Sequence, residues 1–236
     1  MKTVAVLCAA RRSNYYGLPG VDVYGPDRDC RAFHGGMPVV AHPPCRAWSA
    51  FCRHQAYPSP GERELGLWCA EWLVRVGGIL EHPAHSTLFA AAGLPRPGEA
   101  PRRDLWTVEV CQHWFDATPT RKRTWLCFSR IDVAAVSLPP PLPPPADERR
   151  NWRRLSKAAR ALTGPNLARW LVATARLVPE SEAAVLELRH AQGDDAHCRD
   201  CGCKMVGGRH VGRCPRCGSD RWYRTHLNIT NKEERP

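Results

Sequence analysis

Two cysteine pairs, Cys198-x-x-Cys201 and Cys214-x-x-Cys217, restrict the fold of this chain more than any other stretch of its sequence. Each pair suits a tight turn that presents two thiolates, and two such turns complete a tetrahedral four-sulfur site of the kind zinc takes. Gly202 and Gly218 follow the second cysteine of each pair, where the turn wants a positive φ. With Pro215 and the strand-like Arg221-Trp222-Tyr223, the pattern predicts a small zinc ribbon over 197–227, followed by a polar tail over 228–236. Cys203 could replace Cys201 as a ligand, and His210 is a further ligand type within the ribbon. Four protein ligands leave no open position, so the expected Zn2+ is structural and not catalytic.

The chain has twelve cysteines, and the seven outside the ribbon stand singly in apolar segments. That distribution fits buried thiols and a metal site in a reducing, intracellular, cytoplasmic setting, not a disulfide scaffold. Cys52 and Cys69 read as buried thiols. No apolar run approaches the roughly 18 residues of a membrane span, and the opening Met1-Lys2-Thr3-Val4 stretch is too short for a signal peptide and reads as a buried strand. The chain is expected to be soluble, without a membrane partner.

Lys and Arg total 34 against 23 Asp and Glu, a net charge of +11 concentrated in the second half. Such an excess favours a polyanionic partner, nucleic acid above all. The alternative is a solvated, arginine-rich surface. In the ribbon, Arg209, Arg213, Arg216, Arg221 and Arg224 surround Trp222 and Tyr223, a combination suited to phosphate contacts and base stacking.

Over the first 137 residues, short apolar runs alternate with helical patterns, which predicts an α/β domain with a mostly parallel sheet. Strands are expected at Thr3–Cys8, Val21–Tyr24, Val39–Ala41, Ile79–Glu81, Thr107–Cys111 and Thr124–Phe128. Ser59-Pro60-Gly61-Glu62 has the form of a capping box, and Leu65, Trp68, Cys69, Trp72, Leu73 and Val76 then share one helical face. Residues 138–147 are a stiff, proline-rich connector. Residues 148–178 should form two helices that pack back on the α/β domain, one over 151–162 and one over 166–177. Residues 179–196 read as a last helix and linker.

Three segments fall at strand ends, where open α/β sheets bind ligands. Val39-Val40-Ala41-His42-Pro43-Pro44-Cys45 carries a thiol onto a loop stiffened by two prolines. Ile79-Leu80-Glu81 brings a carboxylate to the end of a strand, and Arg121-Lys122-Arg123 delivers cations just before another. Together they could serve as nucleophile, proton donor and anion clamp. Spacing alone favours Cys45 as a small turn residue, Glu81 as an ion-pair partner and the arginines as surface charge. His42, His82 and His85 flank the group and suit hydrogen bonding or packing, and Trp114 and Trp125 suit the core.

These segments resemble, in order and spacing, motifs of the DNA cytosine-5 methyltransferases. His42-Pro43-Pro44-Cys45-Arg46-Ala47-Trp48-Ser49 is similar to the family's Pro-Pro-Cys nucleophile loop. Glu81-His82-Pro83 stands for its Glu-Asn-Val segment. Thr118-Pro119-Thr120-Arg121-Lys122-Arg123 stands for its Pro-Gln-x-Arg-x-Arg segment, with the Gln lost. Leu7 to Leu18 has the length of its first cofactor loop, with Ala10, Arg12 and Ser13 where the family has glycines and Gly17 retained. The family's large target-recognition domain has no counterpart.

The resemblance implies a Rossmann-like methyltransferase sheet and a transferase that modifies pyrimidine C5, by default a methyl transfer to cytosine. Cys45 would add to C6, Glu81 would steady the ring, and Arg123 or Arg121 would hold it. S-adenosyl-L-methionine or a related donor would lie against Ala9, Arg11, Arg12, Gly17, Asp22 and Asp27, with DNA as the favoured partner. Arg11 and Arg12 would suit a donor with an extra negative group. The alternative function is a nucleic-acid-binding protein that keeps the scaffold without turnover.

Overall fold

The computed structural model describes residues 1–49, 58–102, 104–118, 120–146, 148, 154–156 and 162–180, and the backbone of three short strands further on. It divides into two compact units, Met1–Pro179 and Glu180–Pro236.

All six strands expected in the first unit form: β1 (Val4–Leu7), β2 (Val21–Tyr24), β3 (Val39–Ala41), β4 (Gly78–Pro83), β5 (Leu105–Cys111) and β6 (Arg123–Ser129). They build one sheet in the order β2-β1-β3-β4-β6-β5. The pairs β1–β2, β1–β3 and β3–β4 are parallel, whereas β6 runs antiparallel to both of its neighbours. The central strands are apolar on both faces because both are covered: Val4–Leu7 and Val39–Ala41 are buried throughout.

Helix α1 (Glu62–Val76) lies on one face. Cys69, Ala70, Leu73 and Val76 pack there with Ala5, Leu7, Val39, Ala41, Leu80, Trp125 and Cys127. Helix α3 (Pro165–Ala175) covers the other, setting Leu167, Ala168, Leu171, Val172 and Ala175 against Val4, Val6, Val40, Ile79, Leu126 and Phe128. The second of the two helices expected to pack back on the domain therefore does so. The first, over 151–162, falls largely outside the described residues. A short α2 (Leu88–Ala91) follows β4.

The start of α1 corrects the expected capping box. The residue before the helix is Gly61, at φ +80°, and no side chain caps the end. Ser59 contributes only its carbonyl, to Glu62 N. The Glu62 carboxylate turns instead to Arg46, whose guanidinium also reaches Ser59 Oγ at 2.9 Å. The ion pair wins because Glu62 is buried, so an uncompensated carboxylate there would cost more than an exposed cap returns.

The helix ends on Gly77 and Gly78, at φ +79° and +128°. A Cβ at Gly78 would come 2.0 Å from the Val39 carbonyl oxygen, so the β3–β4 pairing requires glycine there.

In the second unit, β7 (Asp195–Cys198), β8 (Lys204–Met205) and β9 (Trp222–Thr225) form a three-stranded antiparallel sheet in the order β8-β7-β9. The strand expected at Arg221-Trp222-Tyr223 falls on β9. Cys198 ends β7, while Cys201, Cys203, Cys214, Cys217 and the tail lie outside the described residues. Among the described residues no helix is long and apolar enough to cross a membrane.

Candidate active site

Strand polarity decides what meets at the functional edge of the sheet. Because β1 to β4 are parallel, their carboxyl ends share one edge, and the loops after Leu7, Tyr24, Ala41 and Pro83 open there. Strand β6 is reversed, so its amino end, with Lys122 and Arg123, reaches the same edge, as does Gln112 just after β5.

Cys45 is half-buried in a loop fixed at both ends. Its carbonyl accepts from Trp48 N (3.1 Å) and Ser49 N (2.8 Å), closing a turn. Arg46 ties the loop to Glu62 of α1, and the Trp48 carbonyl accepts from Thr87 N and Oγ1. The Trp48 ring is buried, with the Arg63 guanidinium 4.4 Å from its centroid. With Pro43 and Pro44 restricting φ, the thiol sits on a rigid mount.

Glu81, 6% exposed, is the hub of a buried polar network. His42 Nδ1 lies 2.9 Å from Glu81 Oε2, and Tyr15 Oη lies 2.7 Å from His42 Nε2. Gln112 Nε2 donates to Glu81 Oε1 and to Thr124 Oγ1, both at 3.0 Å. One assignment satisfies every member: Nδ1–H donates to Glu81, and Nε2 accepts the Tyr15 hydroxyl. Burial by itself would raise the Glu81 pKa. The hydrogen bond from His42 and then the charge of Lys122 lead the effects that outweigh it and hold the group at about 2. Glu81 is therefore an acceptor at neutral pH. Burial also pushes the Tyr15 hydroxyl well up, so it stays a donor.

His82 is fully buried on the opposite face of β4 beside the Pro44 backbone, and neither ring nitrogen makes a hydrogen bond of good geometry. Burial, first of all, lowers its pKa to about 4 and keeps it neutral. His85 is exposed and stacks edge-on to Trp125, which belongs to the core as expected. Trp114 packs beside the other cluster, and Cys69 is fully buried.

The two arginines go elsewhere. Glu81 faces Leu126 across the β4–β6 ladder, and Arg123, an odd number of residues away, falls on the opposite face beside Trp125. There Arg123 Nε donates to Glu109 Oε1 at 2.7 Å. Arg121 Nε donates to Glu148 Oε2, also at 2.7 Å. The cation of this segment that acts on Glu81 is Lys122. Sequence reasoning quoted Lys122 without assigning it a role, and it missed Tyr15 and Gln112. The alternation within Arg-Lys-Arg was the available signal for Lys122. Tyr15 and Gln112 had none, since only tertiary structure brings them to β4.

Next along the edge, an open pocket of about 380 Å³ lies at the ends of β1 and β2, lined by Cys8, Ala9, Tyr24, Pro26, Asp29 and Leu65, among others. Of the residues expected to hold a donor, Ala9 lines it. Arg11 and Asp27 pair with each other at 2.9 Å, Asp22 is held by Arg28 at 2.6 Å, Arg12 is exposed, and Gly17 stands open at φ +81°. Asp29 supplies the carboxylate of this pocket. At Gly25 a Cβ would meet the Ala9 carbonyl oxygen at 2.9 Å, so glycine keeps the two loops in contact.

Among the described residues no group of three or more His, Cys, Asp or Glu could hold a metal ion. No family model, curated protein or solved structure matches this chain.

Proposed function

We propose that this chain is a compact transferase that modifies C5 of a pyrimidine in nucleic acid, by default a methyl transfer to cytosine in DNA, through a covalent adduct at Cys45. The observation that carries the reading is the rigid mount of the Cys45 thiol one strand away from the ionised Glu81, with an open pocket at the next two strand ends. A mostly parallel sheet with one reversed strand supports a Rossmann-like methyltransferase fold, and the motif order supports the family resemblance.

A donor such as S-adenosyl-L-methionine would supply an electrophilic methyl group. The pocket has room for part of such a molecule, and Ala9, Tyr24 and Asp29, which line it, would touch the donor. Cys45 adds as thiolate to C6, which makes C5 electron-rich enough to take the methyl group. Loss of the C5 proton then expels the thiolate and restores the ring. The base must leave its stack to reach a thiol set in a loop. Ionised Glu81 accepts from the exocyclic amino group of cytosine and does not donate to N3. Lys122 is the cation placed to balance charge on this side of the sheet. The basic second half of the chain and a four-cysteine structural zinc module would hold the polyanion.

Calorimetric titration of S-adenosyl-L-methionine into the zinc-loaded full chain tests the donor. Micromolar binding supports methyl transfer. Absence of binding by folded protein removes it and leaves the alternative, a scaffold that binds nucleic acid without turnover.

A further inference from the structure

Three thiols meet at the pocket proposed for the donor, two of them lining it, although they are far apart in sequence. Cys8 directly follows β1, Cys30 lies in the 3-10 turn Cys30–Ala32, and Cys69 projects from α1. Cys8 Sγ donates to Cys30 Sγ at 3.4 Å and lies 3.6 Å from Cys69 Sγ. Cys30 Sγ in turn points to Asp29 Oδ1 at 3.6 Å. Among the described residues no such group is arranged to hold a metal ion. The sulfurs are close enough to join. Contraction by somewhat more than 1 Å brings Cys8 and Cys30 to the roughly 2.05 Å of a disulfide.

We infer that Cys8 and Cys30 form a reversible disulfide in the pocket lining, an oxidative modification site of this protein. Cys8 and Cys30 both line the pocket, but Cys8 is half-buried whereas Cys30 and Cys69 are buried, so a small oxidant reaches Cys8 first. Cys8 is also held at φ +61°, a conformation that costs a non-glycine residue energy. With a peroxide as oxidant the chemistry balances in two steps. The first thiol takes one oxygen atom, becoming a sulfenic acid and releasing water. The partner thiol then displaces the hydroxyl group, forming the S–S bond and releasing a second water. Asp29, next to Cys30, is placed to take the Cys30 proton during the second step. The bond would draw the loop after β1 onto the turn after β2 and narrow the pocket. Its formation does not depend on what the pocket binds.

The test treats reduced, zinc-loaded full chain with hydrogen peroxide, blocks remaining thiols and identifies cross-linked peptides by mass spectrometry after digestion. The expected result is a Cys8–Cys30 cross-linked peptide, reversed by dithiothreitol and absent from Cys30→Ser. Asp29→Asn should slow its formation several-fold while leaving the thermal transition of the reduced protein unchanged. Recovery of Cys8 and Cys30 unmodified, as separate oxyacids, or joined to other cysteines would overturn the inference. These results do not involve a methyl donor, so they are independent of the outcome of the calorimetry.

Discussion

His42 Nδ1 and Glu81 Oε2 stand 2.9 Å apart, so the residue three positions before the thiol is hydrogen-bonded to the carboxylate at the end of the next strand. The contact joins β3 to β4 at the edge where Cys45 is mounted, and Tyr15 extends it to the loop after β1. Breaking one partner of a buried, hydrogen-bonded charge leaves the other uncompensated, so this pair contributes to the response of the unit to acid.

Acid unfolding should show the pair directly. Glu81 is held at about 2 against an ordinary 4.5. Its depressed pKa contributes stability that is complete above 4.5 and is lost as pH falls toward 2, about 3 kcal/mol in all. His82, lowered to about 4 from 6.5, contributes in the same direction between 6.5 and 4, because only the unfolded chain takes up its proton there. Denaturant titrations from pH 7 to pH 2 should therefore fall in two steps. Glu81→Gln should remove the lower step and His82→Phe the upper one.

Lys122→Ala and Arg123→Ala should separate sharply. Arg123 is paired with Glu109 on the far face, and its loss should change stability by about 0–1 kcal/mol and turnover by less than about twofold. Lys122→Ala removes the cation that acts on Glu81, and turnover should drop by about tenfold or more. Steady-state kinetics of the two variants checks the assignment. A large loss in Arg123→Ala with full activity in Lys122→Ala would reverse it.

Gly78→Ala should be the most damaging glycine substitution in the sheet. The new Cβ would lie 2.0 Å from a backbone oxygen of β3, which no rotamer change relieves. A loss of about 3 kcal/mol or more is expected, because overpacking and a φ of +128° add together. Gly17→Ala, at a similarly positive φ but with open space around it, should cost only about 1–2 kcal/mol. Chemical denaturation of both variants gives the comparison.

Zinc removal should act on the second unit alone. Chelation, or Cys214→Ser with Cys217→Ser, should abolish the metal content measured by emission spectroscopy and the ellipticity of the small sheet. The thermal transition of the first unit should remain, because among the described residues its clusters draw on residues before Pro179.

The sheet was legible because its central strands β1 and β3 are continuous apolar runs. Val39–Ala41 and Val21–Tyr24 could be bounded to the residue, since prolines, glycines and charges close them off. The capping box at Ser59 misled because local pattern cannot see that Arg46 lies across from Glu62. The same limit hid the network around Glu81. His42 was visible by its neighbours, but Tyr15 and Gln112 reach it only through the strand order. Register also decides Arg123. Its place in the motif suggested convergence on Glu81, and the period-two alternation of β6 sends it to the other face. The contact between Cys8, Cys30 and Cys69 joins three segments with no shared pattern.

The most direct measurement of the central claim is covalent trapping at Cys45. Full-length, zinc-loaded protein is incubated with S-adenosyl-L-methionine and DNA containing 5-fluorocytosine, in which fluorine blocks the final elimination. The account predicts a denaturant-resistant protein–DNA adduct that maps to Cys45 and disappears in Cys45→Ser. Folded, donor-binding protein that forms no adduct, or an adduct that persists in Cys45→Ser, would contradict it.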